Sequence, residues 1–243
     1  LKDYFLPPHY LKMDIEKVVP EIERTSHDQY GRATLQQLKE LAQHSIGIPV
    51  EDVHEISISI TIQSWILSIE LLQQQMDQLM SQMIYLTQQM PYFKILTSLK
   101  GISDKTAAFF IAETRDLSQF DHYKKLEKFA GLNLKQSQSG QYVGRRRISH
   151  IGNHRLRWVL YKMTEETARY VPEVRMKFLR RQIKQRIYRK NVVASSTTLL
   201  KLIVAMVKKN KVYEPTKENI KAVEILEIKY DEIKSAKRRK KAS

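Results

Sequence analysis

Between Ile62 and Met90, apolar residues recur at alternating steps of three and four: Ile62, Trp65, Ile69, Leu72, Met76, Leu79, Met83, Leu86 and Met90. A repeat averaging 3.5 residues keeps one seam on one side of a helix and is the pattern of a coiled coil. Ser and Gln fill most of the intervening positions, and only Glu70 and Asp77 are charged. Upstream, Ile-Ser-Ile-Ser-Ile-Thr-Ile at 56–62 alternates as a strand would. The two periods compete over one stretch. The longer one predicts a single helix over residues 53–90, closed by Pro91. Its seam needs cover, from a second copy of the chain or from an intramolecular hairpin with a helix over 31–45. Met at three seam positions packs adaptably and specifies the partner weakly.

The rest of the chain also reads as helices. Leu35, Leu38, Leu41 and Ala42 give 31–45 a helical face, ended by Gly47 and Pro49. Pro7, Pro8 and Pro20 are expected to break any long helix near the start. After Pro91, helices are expected at 93–99, 105–114, 123–129, 153–170, from Pro172 onward, across 199–207 and over 217–236. Residues 136–147 are polar and basic and are expected to form a loop. The run Lys-Arg-Arg-Lys-Lys at 237–241 is expected to be a disordered tail. The expected fold class is all-α: a long coiled-coil helix, then a compact helical domain built on a helix-hairpin-helix. The expected domains are a helical remnant at 1–52, the coiled coil at 53–90, a helix-hairpin-helix domain at 91–214, and an amphipathic helix with a basic tail at 215–243.

Charge divides the chain where the pattern does. Residues 1–90 hold six Lys/Arg against twelve Asp/Glu, whereas residues 91–243 hold 36 against 14. The overall +16 therefore comes from the second part, and residues 144–190 are densest, with fifteen basic and three acidic residues. Such a field favours a polyanion, of which nucleic acid is the commonest; the plainer alternative is a well-solvated surface. A 42% hydrophobic content excludes a wholly disordered chain. The absence of Cys excludes disulfides, thiol catalysis and Cys-ligated metals and fits a reducing compartment. No uninterrupted apolar run approaches the roughly 18 residues of a membrane span, so no membrane partner is expected.

Two segments carry chemistry. Residues 95–113 place a Gly turn, Lys100-Gly101-Ile102-Ser103, between two short helices, with Ala107 and Ala108 as small packing residues. Gly101 permits positive φ, and Ser103 or Asp104 can cap the second helix. A hairpin of this kind directs backbone N–H groups at a phosphate without reading sequence. Gly101, Ser103 and Lys105 are the candidate contacts, although the usual motif has a second Gly where Ser103 stands. The second segment runs from Gly131 to Arg157. Ser139, followed by Gly140, lies before the triplet Arg145, Arg146 and Arg147. A serine hydroxyl attacking phosphorus needs deprotonation and neutralisation of the charge that builds up, which the arginines can supply. A Ser-Gly pair in a loop is more often simply a turn. His150 and His154 stand four apart, but Gly152-Asn153 between them argues for a turn with Asn153 capping the next helix, and hence for surface histidines. Trp158 and Tyr161 are expected to pack in the core.

Together these segments resemble the insertion-sequence-one-ten family of bacterial transposases, the serine-plus-DEDD recombinases guided by a bridge RNA. The resemblance rests on Leu99-Lys100-Gly101-Ile102 through Ala112-Glu113, Phe120, Phe129-Ala130-Gly131-Leu132, Gln138-Ser139-Gly140, Arg145-Arg146-Arg147-Ile148, Ile151-Gly152-Asn153 and Leu156-Arg157, in that order. It implies that Ser139 is the nucleophile, linked covalently to DNA as a phosphoserine, with Ser137 its nearest rival. Arg145, Arg146, Arg147, Arg155 and Arg157 are assigned to DNA or RNA contacts, more from charge than from the family. It also implies a magnesium site in an RNase-H-like DEDD domain. Residues 1–60 show no such domain, so no cofactor is expected in this chain, and the chain alone is expected not to cleave DNA.

The resulting expectation is the C-terminal part of a cytoplasmic bacterial transposase. It binds DNA and a guide RNA, oligomerises through the coiled coil and supplies the serine. Its rivals are a non-catalytic DNA- or RNA-binding module with a coiled-coil helix, and a structural coiled-coil protein.

Overall fold

The structure, a computed structural model, describes residues 4, 6–45, 52–135, 138–139, 142–143, 147–184 and 186–242, with the backbone alone at 52–55, 138–139, 142–143, 147 and 237–242. The fold is all-α, with four strands of two residues each. The chain forms two compact units, residues 1–79 and 80–243.

In the first unit, α1 (Pro7–Lys12), α2 (Ile15–Ser26) and α3 (Arg32–Gln43) enclose a small core of Met13, Ile22 and Leu35. Pro7 and Pro8 open α1 instead of breaking it, because the first helical positions donate no intrahelical bond. Pro20 lies inside α2, so the expected break there does not occur; the helix forgoes one backbone bond and continues to a left-handed cap at His27. α3 packs on α1 and α2. Lys39 Nζ donates to the Met13 carbonyl at 3.1 Å, and Arg32 pairs with Glu16.

α4 (Asp52–Gln88) is one continuous helix that absorbs the alternating isoleucines. Its seam is open to solvent: Trp65, Ile69, Leu72, Met76, Leu79 and Leu86 are each more than half exposed. By length and composition alone, Ile56–Gln88 and Tyr188–Lys209 are long and apolar enough to cross a membrane, which soluble core helices also satisfy. The second of these is half buried in protein, as a core helix is.

In the second unit the last turns of α4 send Ile84 onto the main core. Then come α5 (Pro91–Thr97), α6 (Asp104–Thr114), a 3-10 turn (Leu117–Gln119) and α7 (Tyr123–Phe129). β1 (Leu134–Lys135), β2 (Gln138–Ser139), β3 (Tyr142–Val143) and β4 (Arg147–Ile148) follow, then α8 (His154–Tyr170), α9 (Pro172–Ile183), α10 (Tyr188–Lys209) and α11 (Lys217–Ala242). α8 and α10 are the central helices. Leu156, Val159, Leu160 and Met163 of α8 meet Leu199, Leu200 and Ile203 of α10 in one core that also takes Phe93, Leu96, Phe110 and Ile111. Trp158 falls off this stripe and is 58% exposed, correcting its expected core position, whereas Tyr161 is half buried against the core. α11 docks on α9 through Arg175 and Glu227, 2.9 Å apart. Glu173 accepts hydrogen bonds from Tyr213 (2.6 Å) and Asn219 (2.8 Å). Burial and the bond to Glu173 raise the Tyr213 pKa. α11 continues through the basic run to Ala242, so that run has a helical backbone instead of the expected disorder.

Candidate nucleic-acid interface

The first candidate segment is a helix–turn–helix in the plain geometric sense. Pro91 starts α5, and the chain reverses at 98–102, where the Ile102 N–H donates to the Leu99 carbonyl at 3.0 Å. Ser103 caps α6, its Oγ accepting from the Thr106 N–H at 3.3 Å. Ser103 and Lys105 are exposed at the start of α6. Gly101 has φ +102°, and a Cβ there would lie 3.0 Å from the Glu166 backbone. The close approach of α8 is thus sufficient to require glycine, independently of any phosphate. Lys100 Nζ lies 5.0 Å over the Tyr170 ring, fixing the turn against the end of α8.

The second segment is held by a clamp that sequence reading missed. Residues 129–133 and 149–153 run backbone against backbone. The Asn153 N–H donates to the Phe129 carbonyl at 2.8 Å, His150 N–H to Gly131 at 3.2 Å, and Ser149 N–H to Asn133 at 2.9 Å. The Ser149 hydroxyl donates to Asn133 Oδ1 at 2.7 Å. Two glycines make this approach sterically feasible. A Cβ on Gly152 would meet the Phe129 carbonyl oxygen at 2.5 Å, and one on Gly131 would meet Arg157 Nη1 at 2.7 Å. Both have positive φ. Arg157 seals the crossing, its Nη1 donating to the carbonyls of Ala130 (3.1 Å) and His150 (3.3 Å). Asn153 caps α8 by accepting from the N–H groups of Arg155 and Leu156, and donates through Nδ2 to Glu113 at 2.7 Å, tying in the end of α6. Much of what carried the family resemblance is therefore gathered here: Glu113, Phe129-Ala130-Gly131, Gly152-Asn153 and Arg157.

The clamp presents strands. β1 pairs with β4 (Leu134 with Ile148, Lys135 with Arg147), and β2 pairs with β3 (Gln138 with Val143, Ser139 with Tyr142). The described part of 136–147 is thus antiparallel ladder, not the expected loop. The two ladders are out of step by one residue, with two positions between them on the outgoing arm and three on the returning arm. Ser139 pairs with Tyr142 in the second ladder by backbone register. Ser137, Gly140, Arg145 and Arg146 lie outside the described residues, as do the side chains of Ser139 and Arg147. Arg155 is exposed in the first turn of α8. Of the predicted contacts, Arg157 is committed to the clamp and Arg155 faces solvent.

Among the described residues of 144–190 the three carboxylates are all engaged, and Arg175 pairs with Glu227 of α11. Glu165 accepts from Tyr188 at 3.0 Å and pairs with Lys162, Glu166 pairs with Arg169, and Glu173 is held by Tyr213 and Asn219. Burial, followed by the hydrogen bond to Glu165, pushes Tyr188 up to about 12. Among the described residues no group of three or more His, Cys, Asp or Glu is placed to hold a metal, so no step is assigned to a metal here.

Residues 93–179 match the model of the Transposase IS116/IS110/IS902 family. The match runs from α5 through α9 and contains both candidate segments, the clamp and the strands. It supports a transposase-related role, with transposition by an insertion sequence as its setting. No curated protein matches the chain.

Proposed function

We propose that this chain acts on nucleic acid in DNA transposition, with the second unit binding DNA and a guide RNA and Ser139 serving as the nucleophile for strand cleavage and exchange. The observation that carries the proposal is the coincidence of the family match with the clamped, strand-bearing segment in the most cationic part of the chain. Ser139 at the end of a ladder can be brought to a phosphate, while the rigid base keeps its register. Attack by its Oγ on phosphorus forms a phosphoserine and displaces a deoxyribose hydroxyl. The turn at Gly101, with Ser103 and Lys105, contacts backbone phosphates, and Arg145, Arg146, Arg147 and Arg155 supply positive charge. α4 joins copies of the chain through its open seam, since α3 is occupied by α1 and α2.

Ser139→Ala tests the nucleophile. In a strand-exchange reaction supplied with the magnesium-holding acidic domain, this variant abolishes exchange and the covalent adduct while DNA binding persists. Full exchange by the variant would remove Ser139 from the mechanism and leave a nucleic-acid-binding module.

A further inference from the structure

Beside the clamp, the second unit holds a cavity of about 290 Å³. Leu132 and Ile148 line it, the latter in the β4 strand that pairs with β1. Trp158 and Tyr161 line it with two aromatic rings, and His154 and Arg157 line it with polar groups. Among the described residues no carboxylate lines it. Its size is near the lower end of the roughly 300–1,000 Å³ of small-molecule pockets, room for one planar ring system.

Trp158 is the informative residue. Its indole is 58% exposed on a core helix and lines the cavity, so an aromatic face is open to a ligand there. Exposed Arg155 stands three residues before it on α8, and Glu165, Glu166 and Glu173 are already engaged by Lys162, Arg169, Tyr188, Tyr213 and Asn219. An apolar slot with an exposed aromatic face in a cationic surround matches an unstacked base on a polyanionic strand: the base stacks on the indole, and the phosphates stay in the positive field. A base still stacked in duplex cannot enter so small a slot.

We infer that this cleft takes one unstacked DNA base beside the strands that carry Ser139. The inference rests on the DNA-binding reading above and deepens it. Ile148 pairs with Leu134, and Ser139 lies five residues beyond Leu134 in the sequence, so at most about 18 Å along the chain. A strand whose phosphate reaches Ser139 can therefore leave a neighbouring base in the cleft, which fixes the strand while it is cut or exchanged.

The test uses the full chain with Trp65→Phe, so that Trp158 is the sole indole. Three duplexes are compared: fully paired, with one extrahelical base, and with an abasic residue at the same bulge. The cleft predicts binding to the extrahelical base roughly tenfold tighter than to paired duplex, from one stacking contact. Trp158 emission is quenched by that duplex, and the abasic bulge gives no gain. Trp158→Ala loses the gain and Trp158→Phe retains much of it. Equal affinities with unchanged emission overturn the base site while leaving DNA binding intact. Failure to bind any duplex overturns both. Preference for the same bulge in RNA overturns the assignment to DNA. Emission that changes with protein concentration in the absence of DNA assigns the cleft to a second copy and likewise overturns the base site.

Discussion

Substituting Gly152 with Ala is the sharpest probe of the clamp. Gly152 has φ +143°, and a Cβ there lands 2.5 Å from the Phe129 carbonyl oxygen and 2.7 Å from the Gly131 nitrogen. Both obstacles are backbone, so no rotamer change relieves them. Forcing a non-glycine residue into that conformation costs about 1–3 kcal/mol. Separating the strands enough to admit the methyl weakens the bonds from Asn153 to Phe129 and from Arg157 to Ala130, each contributing about 0.5–1.5 kcal/mol. The total is about 2–6 kcal/mol. At roughly 2–4 °C per kcal/mol for a domain of this size, the melting temperature falls by about 4–24 °C. Urea unfolding followed by circular dichroism gives the free energy directly. The substitution also loosens the adjoining β1–β4 pair, so hydrogen exchange at 147–150 rises even where the helices remain folded. A loss below about 0.5 kcal/mol, with unchanged exchange, would refute the clamp.

Other substitutions read different contacts. Asn153→Ala removes a helix cap and the tie to Glu113 and costs about 1–2 kcal/mol by the same urea measurement; Asn153→Ser keeps a capping oxygen and loses less. Tyr188 donates to Glu165 only while neutral. Its raised pKa therefore adds stability that is complete below the ordinary tyrosine value of about 10 and is lost as pH rises through about 12. An ultraviolet titration of the wild type minus Tyr188→Phe should show a tyrosine ionising near pH 12, and ionisation near 10 would deny the hydrogen bond. Ile69→Lys together with Leu79→Lys should convert an oligomer to monomer in sedimentation, since both residues are more than half exposed on α4; an unchanged mass would rule out an intermolecular seam.

Helices were legible in the sequence where local chemistry decides them. Pro91 and Pro172 open α5 and α9 because a first-turn proline lacks only a bond the helix never makes. Asn153 was recognisable as a cap, and α7 occupies the residues its pattern marked. Periodicity also favoured one long α4 over a strand. Less was legible of the candidate site. Strands of two residues are too short to show a period, so 136–147 read as loop. The facing of Gly131 and Gly152 is tertiary and leaves no local signature, although two glycines flanking a polar insertion were a clue. Trp158 could have been placed: it lies two residues from Leu156, on a different face from the buried stripe of 156, 159, 160 and 163. Pro20 continues its helix because one lost hydrogen bond does not outweigh burial of Ile22 on its far side.

Nucleic-acid binding by the cationic second unit is tested most directly by measuring duplex affinity of the full chain against salt concentration. Contacts to six or more phosphates predict a linear fall of log K with log salt, amounting to about a thousandfold loss between 50 and 200 mM. A flat dependence would mean that the positive residues of 144–190 do not contact phosphates, and would contradict the account.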